Sequence, residues 1–140
     1  MKTARNISAI AIVLVLCMAA SCNKYQKAGE LAKDVAAGVL LAQQTEITLH
    51  KADKIDDDTH QLIQQKFAAL ADAGMRLDQA INETHNAGSA TQALSDSIAA
   101  LNDLTTNGLS GIKDPQTQLE VKGVLLTVQI TLNNISAFSK

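Results

Sequence analysis

Apolar or small residues recur at every third or fourth position along most of the chain after residue 24, and this spacing constrains the fold more than any other feature. Because an α-helix turns once every 3.6 residues, such spacing places these residues on one face of an amphipathic helix. In the first run only Glu46 interrupts the pattern. The four runs are Tyr25, Ala28, Ala32, Val35, Val39, Ala42 and Leu49; Ile63, Phe67, Leu70, Gly74, Leu77, Ile81 and Thr84; Ala90, Leu94, Ser97, Leu101 and Leu104; and Val121, Leu125, Val128, Leu132, Ile135 and Phe138. We therefore predict an all-α protein.

Aspartates mark two of the helix starts. Asp56 has the side chain of an N-cap residue, and the two aspartates that follow it put negative charge where the helix dipole favours it. Asp114 stands directly before Pro115, and proline is common at the first helical position because it has no N–H to leave unpaired. These residues predict helix starts near residues 57 and 115.

Two further signals divide the middle of the chain. Ser89 and Gln92 have the spacing of a capping box, which predicts the start of a helix. Asn107-Gly108 indicates a helix end, because glycine readily adopts the left-handed conformation there. Short polar connections between consecutive helices favour an antiparallel up-down bundle. The four predicted helices of this bundle lie near residues 25–51, 57–85, 90–107 and 115–138.

One segment of the fourth run also matches a strand. Leu126–Leu132 alternates apolar and polar residues, and several of them are β-branched. A lone strand would have no pairing partner elsewhere in this chain, and the helical spacing continues to Phe138. We therefore assign this segment to a helix.

Four glycines fall inside the predicted helices, where each costs about 1 kcal/mol relative to alanine. We expect them to let another helix backbone approach closely. The alternative is that they open a slot for a lipid-like ligand. These glycines are Gly29, Gly38, Gly74 and Gly123.

The first 22 residues have the composition of a leader. Lys2 and Arg5 precede Ile7–Ala20, a segment of 14 residues that is almost entirely apolar. This is shorter than the roughly 20 residues that a membrane-spanning helix needs. Small residues ending at Ser21 then stand directly before Cys22. A positive start, a short apolar segment and a small-residue end predict a secretory signal peptide.

This leader resembles that of bacterial lipoproteins, whose lipobox places small residues before an invariant cysteine. In that family the cysteine thiol receives a diacylglyceryl group, the peptide is cleaved just before it, and the new amino terminus is acylated with fatty acids such as palmitate. The resemblance implies that residues 1–21 are removed and that Cys22 carries the lipid. Cys17 does not fit, because bulky Leu16 precedes it. Ala19 stands where most lipoboxes have leucine.

Two alternatives to lipidation are ordinary secretion after cleavage at Ser21 and retention of the leader as an anchor. Within the lipoprotein family, aspartate after the cysteine favours the inner membrane. Asn23 therefore implies the outer membrane, on its periplasmic side, rather than the outer face of the cytoplasmic membrane.

The remaining chain, residues 22–140, has the length of a single helical domain. It retains ten basic and 14 acidic residues, a formal net charge of −4. No basic patch is present to bind a phosphate backbone, so nucleic acid is not an expected partner. Cys22 is its only cysteine, so no intramolecular disulfide can form.

Histidines and aspartates cluster around the first predicted turn. His50, Asp53, Asp56, Asp57, Asp58 and His60 include the residue types that bind zinc. The strongest candidate ligands are His50, His60 and Asp56. However, no recognised ligand spacing is present, and helix capping already accounts for the aspartates. We expect neither a metal site nor a cofactor.

The sequence contains no constellation typical of an enzyme. It has no G-x-S-x-G nucleophile motif and no Glu-x-x-His pairs on facing helices. The chain ends in Lys140, and this end resembles that of the murein lipoprotein, whose terminal lysine is joined to peptidoglycan. That protein is a continuous coiled coil, whereas glycines at positions 88 and 108 interrupt this chain.

The segment from Val35 to Ala42 is apolar nearly all round the predicted helix. Val35 falls on the side facing the bundle, but Leu40 and Leu41 fall far from it on opposite sides. Such a turn indicates a face for a protein partner or for a second copy. We therefore expect a lipid-anchored envelope protein that acts as a structural or interaction module. The alternative is a binder of a small apolar ligand between helices.

Overall fold

The structure, a computed structural model, describes the backbone of residues 3–138 and the side chains of residues 24–137. Its α-helices are α1 (Thr3–Lys51), α2 (Asp57–Asn82), α3 (Ala87–Asp103) and α4 (Pro115–Phe138). A π-helical turn (Leu104–Gly108) and a 3-10 turn (Leu109–Gly111) connect α3 to α4. No strand occurs within residues 3–138. The predicted all-α fold is confirmed.

The helices form an antiparallel four-helix bundle. Helix α1 packs against α2 and α4, and α3 closes the bundle by contacting both of those helices. Gly29 on α1 faces Asn82 at the end of α2, whereas Gln43 further along α1 bonds to Gln64 near the start of α2. Residue numbers thus rise along one helix as they fall along its neighbour, as in an up-down bundle.

Each helix buries the face that its periodicity predicted. The largest fully buried side chains include one aromatic ring and a series of aliphatic residues from all four helices. They include Val35, Phe67, Ile63, Leu70, Leu77, Leu101, Leu104, Leu125 and Leu132. Removing these residues from water provides the main driving force for the fold.

The helix starts at the aspartates are confirmed. Asp56 is the N-cap of α2, and its Oδ1 accepts a hydrogen bond of 2.9 Å from the Thr59 N–H. Asp114 does the same for α4, because its Oδ2 accepts from the Thr117 N–H at 2.8 Å. Both bonds satisfy first-turn donors that the helix itself leaves unpaired.

The predicted capping box of the third helix is wrong. Asn86 is the N-cap, and its side chain accepts from the Ser89 N–H at 2.9 Å, so α3 begins three residues earlier than predicted. Gln92 instead donates to Asp96 one turn further on. Asn86 supplies the acceptor oxygen one turn before Ser89.

The predicted left-handed end at Gly108 is also wrong. Gly108 has φ −64°, and the chain continues through the π-helical turn into the 3-10 turn. A Cβ at this position would lie 3.0 Å from Leu104 and 3.4 Å from Lys66 on α2. A Cβ here would press on these two side chains, so Gly108 serves close packing and not a left-handed turn.

Two other boundaries differ from the prediction. Helix α1 begins at Thr3 instead of near residue 25, since no glycine or proline separates the leader from the first run. Helix α2 ends at Asn82, because His85 adopts a left-handed φ of 49° and the Asn86 N–H turns back to the Ala80 carbonyl. This arrangement is typical of a helix C-terminus.

The four helical glycines divide into two pairs. A Cβ at Gly38 would lie 2.8 Å from the Val128 side chain on α4, and one at Gly29 would collide with the Asn82 side chain, so side chains, and not another helix backbone, pack closely against both. At Gly74 and Gly123 nothing lies within 4 Å, and the prediction is wrong there.

Leu126–Leu132 lies within α4, which confirms the helical assignment. Its alternating pattern arises because both sides of the helix are apolar. Val128 and Leu132 are buried, whereas Leu126 and Ile130 on the other side are exposed.

Candidate functional site: two ends of the bundle

A buried carboxylate lies at the end of the bundle where α1 meets the start of α2. Glu46 is fully buried on α1. Its Oε1 lies 2.8 Å from His60 Nδ1, and its Oε2 accepts a bond of 2.5 Å from Gln64 Nε2. His60 and Gln64 are four residues apart on α2, so they lie on the same face and reach the carboxylate together.

The ring of His60 stacks on that of His50. The ring centroids are 3.9 Å apart and the ring planes differ by 4°. His50 Nδ1 lies 2.9 Å from the Ile55 carbonyl, which can only accept, so this nitrogen carries the proton. His50 Nε2 faces Asp57 at 3.6 Å. We call Glu46, His50, His60 and Gln64 the glutamate–histidine cluster.

The metal candidates are thus brought together only in part. His50 and His60 are adjacent, but their Nδ1 atoms are engaged and their parallel rings do not converge on one point. Asp56 is used as the N-cap of α2 and pairs with Lys113 at 3.3 Å. Within the part of the chain that the structure describes, no three potential ligands are grouped to hold a metal ion.

Hydrogen bonds to Thr59 and Lys113 lower the pKa of Asp56 to about 2. The pKa of Asp114 is lowered by its bonds to Thr117, and that of Asp103 by its bonds to Lys66 and Asn107. Asp56 and Asp114 lie in the connections formed by residues 52–56 and 104–114, and Asp103 is the last residue of α3, directly before the second connection. We call this end, together with the glutamate–histidine cluster, the capped end.

The opposite end, which we call the open end, contains a cavity of about 160 Å³ where α1, α2, α3 and α4 meet. Its lining is mostly apolar, with Lys24 and Thr91 as its polar members. The apolar residues that line it are Tyr25, Ala28, Leu77, Ile81, Ala87, Ala90, Leu94 and Ile135. The edge of the Tyr25 ring packs against His85 from the α2–α3 connection.

A larger groove of about 620 Å³ follows the outside of α1 and α2. Gly74 opens its floor, and the exposed side chains of Leu40 and Met75 line it. Lys33, Asp78 and Glu83 also line the groove.

Of the three residues of the predicted interaction face, one is buried and two are exposed. Val35 is only 2% exposed and packs in the core, where it lies beneath the groove between α1 and α2. Leu40 and Leu41 are 56% and 55% exposed. The neighbouring helices therefore leave both leucines uncovered.

A second exposed apolar surface lies on α4. Leu119, Leu126 and Ile130 are 62%, 59% and 52% exposed. Because they are seven and four residues apart, they lie on one face, opposite the buried residues of α4. We call these three residues the outer stripe.

The side chain of Cys22 and the terminal Lys140 lie outside the described residues. Among the residues that are described, no helix is long and apolar enough to cross a membrane. Comparisons of the chain with protein-family models, with curated proteins and with solved structures found no match.

Sequence reasoning missed the glutamate–histidine cluster and the outer stripe. A signal for the first was present, since Glu46 occupies a core position and His60 and Gln64 have the spacing to share a partner. A signal for the second was also present, because apolar residues that alternate along Leu126–Leu132 fall on two opposite sides of the predicted helix.

Proposed function

We propose that this chain is a lipid-anchored protein of the bacterial envelope whose mature part is a helical protein-interaction module. The observation that carries this proposal is the set of large apolar side chains exposed on α1 and α4. Covering apolar surface is favourable by about 25 cal/mol per Å². Exposed patches of this kind are typical of surfaces that bind partners.

The outer stripe supports an interaction with another helix. It spans 12 residues, from Leu119 to Ile130, or about 16 Å of helix length. From Gly123 to Phe138, α4 contains no charged residue. A partner helix can therefore approach this side of the second half of α4 without desolvating a charge.

The leader supports the anchor. A diacylglyceryl group and an amide-linked acyl chain on Cys22 would give the stable membrane attachment that one acyl chain does not provide. Asn23 favours the periplasmic side of the outer membrane over the cytoplasmic membrane. In this proposal the anchor concentrates the module at a surface where its partner also lies.

Charge substitutions within the exposed surfaces test the interaction. Leu126→Glu and Leu41→Glu should leave the helical circular dichroism spectrum unchanged while they reduce crosslinking to envelope partners or to a second copy. Gln65→Glu adds the same charge at an exposed polar position of α2 and serves as the control. Unchanged crosslinks and unchanged mass in analytical ultracentrifugation for both leucine variants would refute the interaction role.

Metabolic labelling tests the anchor. Cells given an alkyne analogue of palmitate should label the wild-type chain at the peptide that begins with Cys22. Cys22→Ala should abolish both the label and the cleavage before residue 22. An unlabelled wild-type chain would show that the lipoprotein interpretation is wrong.

The cavity at the open end favours a second candidate function, the binding of a small apolar ligand between helices. A ligand extracted from the native protein and identified by mass spectrometry would promote this function over the first.

A further inference from the structure

The cavity at the open end has the size of a small hydrocarbon. Its volume is about 160 Å³. Apolar cavities of roughly 150 Å³ in other proteins stay dry and bind benzene. The space therefore admits about six carbon atoms, as in one aromatic ring or the last part of an alkyl chain.

The lining has one apolar part and one polar part. Leu77, Ile81 and Leu94 are nearly fully buried at its inner side. Lys24 and Thr91 are exposed, so they lie where the cavity meets water. An apolar chain that ends inside the cavity and leaves it past Lys24 and Thr91 matches this arrangement, because the end of the chain loses contact with water.

The lining of the cavity lies close in sequence to Cys22, and this points to the source of such a ligand. Tyr25, which lines the cavity, follows Cys22 by three residues in the same helix, or about 4.5 Å along its axis. An acyl group attached to Cys22 would start within one helical turn of the opening. The same end of the bundle would face the membrane in which the anchor lies.

We propose that the cavity at the open end binds the methyl end of a fatty acyl chain. The chain comes either from the lipid on Cys22 or from a neighbouring membrane lipid. This inference rests on the proposed lipid anchoring for its first source but not for its second. Binding would hold the bundle in a fixed orientation at the membrane surface, instead of leaving it on a free tether.

The test uses the full chain in bacterial cells given a palmitate analogue with a photoreactive diazirine near its methyl end. After irradiation, mass spectrometry should locate the crosslinked fatty acid on peptides that contain Tyr25, Ala90 or Leu94. Ala90→Leu places a larger side chain in the cavity and should lower this crosslinking about tenfold, as expected for a loss of about 1.4 kcal/mol in binding.

Ala99→Leu is the matched control, because Ala99 is an exposed residue of α3 that does not line the cavity. It should crosslink as the wild type does. Ala87→Leu fills the same cavity from the start of α3 and replaces Ala90→Leu if circular dichroism shows that variant to be misfolded. No crosslink at the lining residues, or equal crosslinking in the folded filled variants, would overturn the proposal.

Cys22→Ala separates the two sources. Crosslinks that disappear in this variant come from the anchor of the protein itself, whereas crosslinks that persist come from membrane lipids, and either result supports the cavity. The anchor is judged separately, by whether the wild-type Cys22 peptide carries the fatty acid. An unlabelled Cys22 would refute the anchor while persistent cavity crosslinks still supported acyl binding.

Discussion

The capped end and the open end of the bundle close the same four helices with opposite chemistry. At the capped end a buried carboxylate, two stacked imidazoles and several aspartates form hydrogen bonds across the connections. Among the described residues, no buried side-chain nitrogen or oxygen lacks a partner. At the open end, alanines and aliphatic residues surround a cavity that they do not fill.

The difference shows which end of the bundle fixes the alignment of the helices and which end tolerates changes of shape. Hydrogen bonds depend on distance and angle, so the cluster around Glu46 fixes how α1 and α2 align. Apolar contacts have no direction, and the open end therefore tolerates changes of shape. A ligand is more easily accommodated at the permissive end.

The largest expected effect comes from removing the carboxylate of the capped end. Glu46→Ala leaves His60 and Gln64 without their acceptor and should lower the free energy of unfolding by about 3 kcal/mol. Glu46→Gln keeps an acceptor oxygen and should cost about 1 kcal/mol. Thermal unfolding of the full chain in detergent, followed by circular dichroism, measures both. Equal costs for the two variants would show that the hydrogen bonds do not stabilise this end.

One substitution made at two places compares the packing of the core with that of the open end. Ala42 on α1 is completely buried, so Ala42→Leu should overpack the core and destabilise the protein by about 1–3 kcal/mol. Ala90→Leu enters the cavity instead and should stabilise the protein by about 1 kcal/mol. Urea unfolding of both variants measures the two changes in the free energy of unfolding. A comparable loss of stability in both would mean that the cavity is not available space.

The success of the sequence-based prediction follows a different division, between features set by residues close in sequence and features set by distant residues. Periodicity located the four core faces, because a buried helix face requires the same spacing whatever its partners are. Asp56 and Asp114 were identified as caps, because an N-cap bond connects residues three apart in the sequence.

What the sequence did not predict depends on contacts between distant residues. Glu46 meets His60 and Gln64 only once α1 and α2 are antiparallel in the observed register. Gly108 lies against Lys66 of α2, a contact that no local pattern specifies. The cavity likewise requires residues from all four helices. Single-sequence patterns describe one helix at a time, and these features belong to pairs or larger groups of helices.

Among the described residues, each end contains one non-glycine residue with a left-handed backbone, and replacing it with glycine should have a smaller effect on stability. Asp53 at the capped end has φ 58°, and His85 at the open end has φ 49°. Asp53→Gly should raise the free energy of unfolding by about 0.5 kcal/mol, since glycine has no Cβ to strain this conformation but costs more entropy on folding. His85→Gly should raise the free energy of unfolding by a smaller amount, because it also removes the contact with Tyr25. Thermal unfolding compares the two, and a larger gain at His85 would contradict this ranking.

The smallest expected effect is on the stability of the protein at low pH, and it should arise only from residues of the capped end. The hydrogen bonds from Thr59 and Lys113 lower the pKa of Asp56 from 3.8 to about 2 in the folded protein. A carboxyl with a lowered folded-state pKa stabilises the protein fully above its unfolded value, and this contribution is lost as the pH falls from about 4 to about 2. Asp56→Asn keeps an N-cap acceptor but cannot titrate. It should therefore unfold at nearly the wild-type temperature at pH 7. Between pH 4 and pH 2 it should lose less stability than the wild type does.

Asp34→Asn, at an exposed position of α1, controls for the change in net charge. The difference should be small because Asp56 is exposed and water screens its pairing with Lys113. If Asp56→Asn and Asp34→Asn lose the same stability over this range, the hydrogen bonds of the Asp56 cap are not the source of the acid sensitivity.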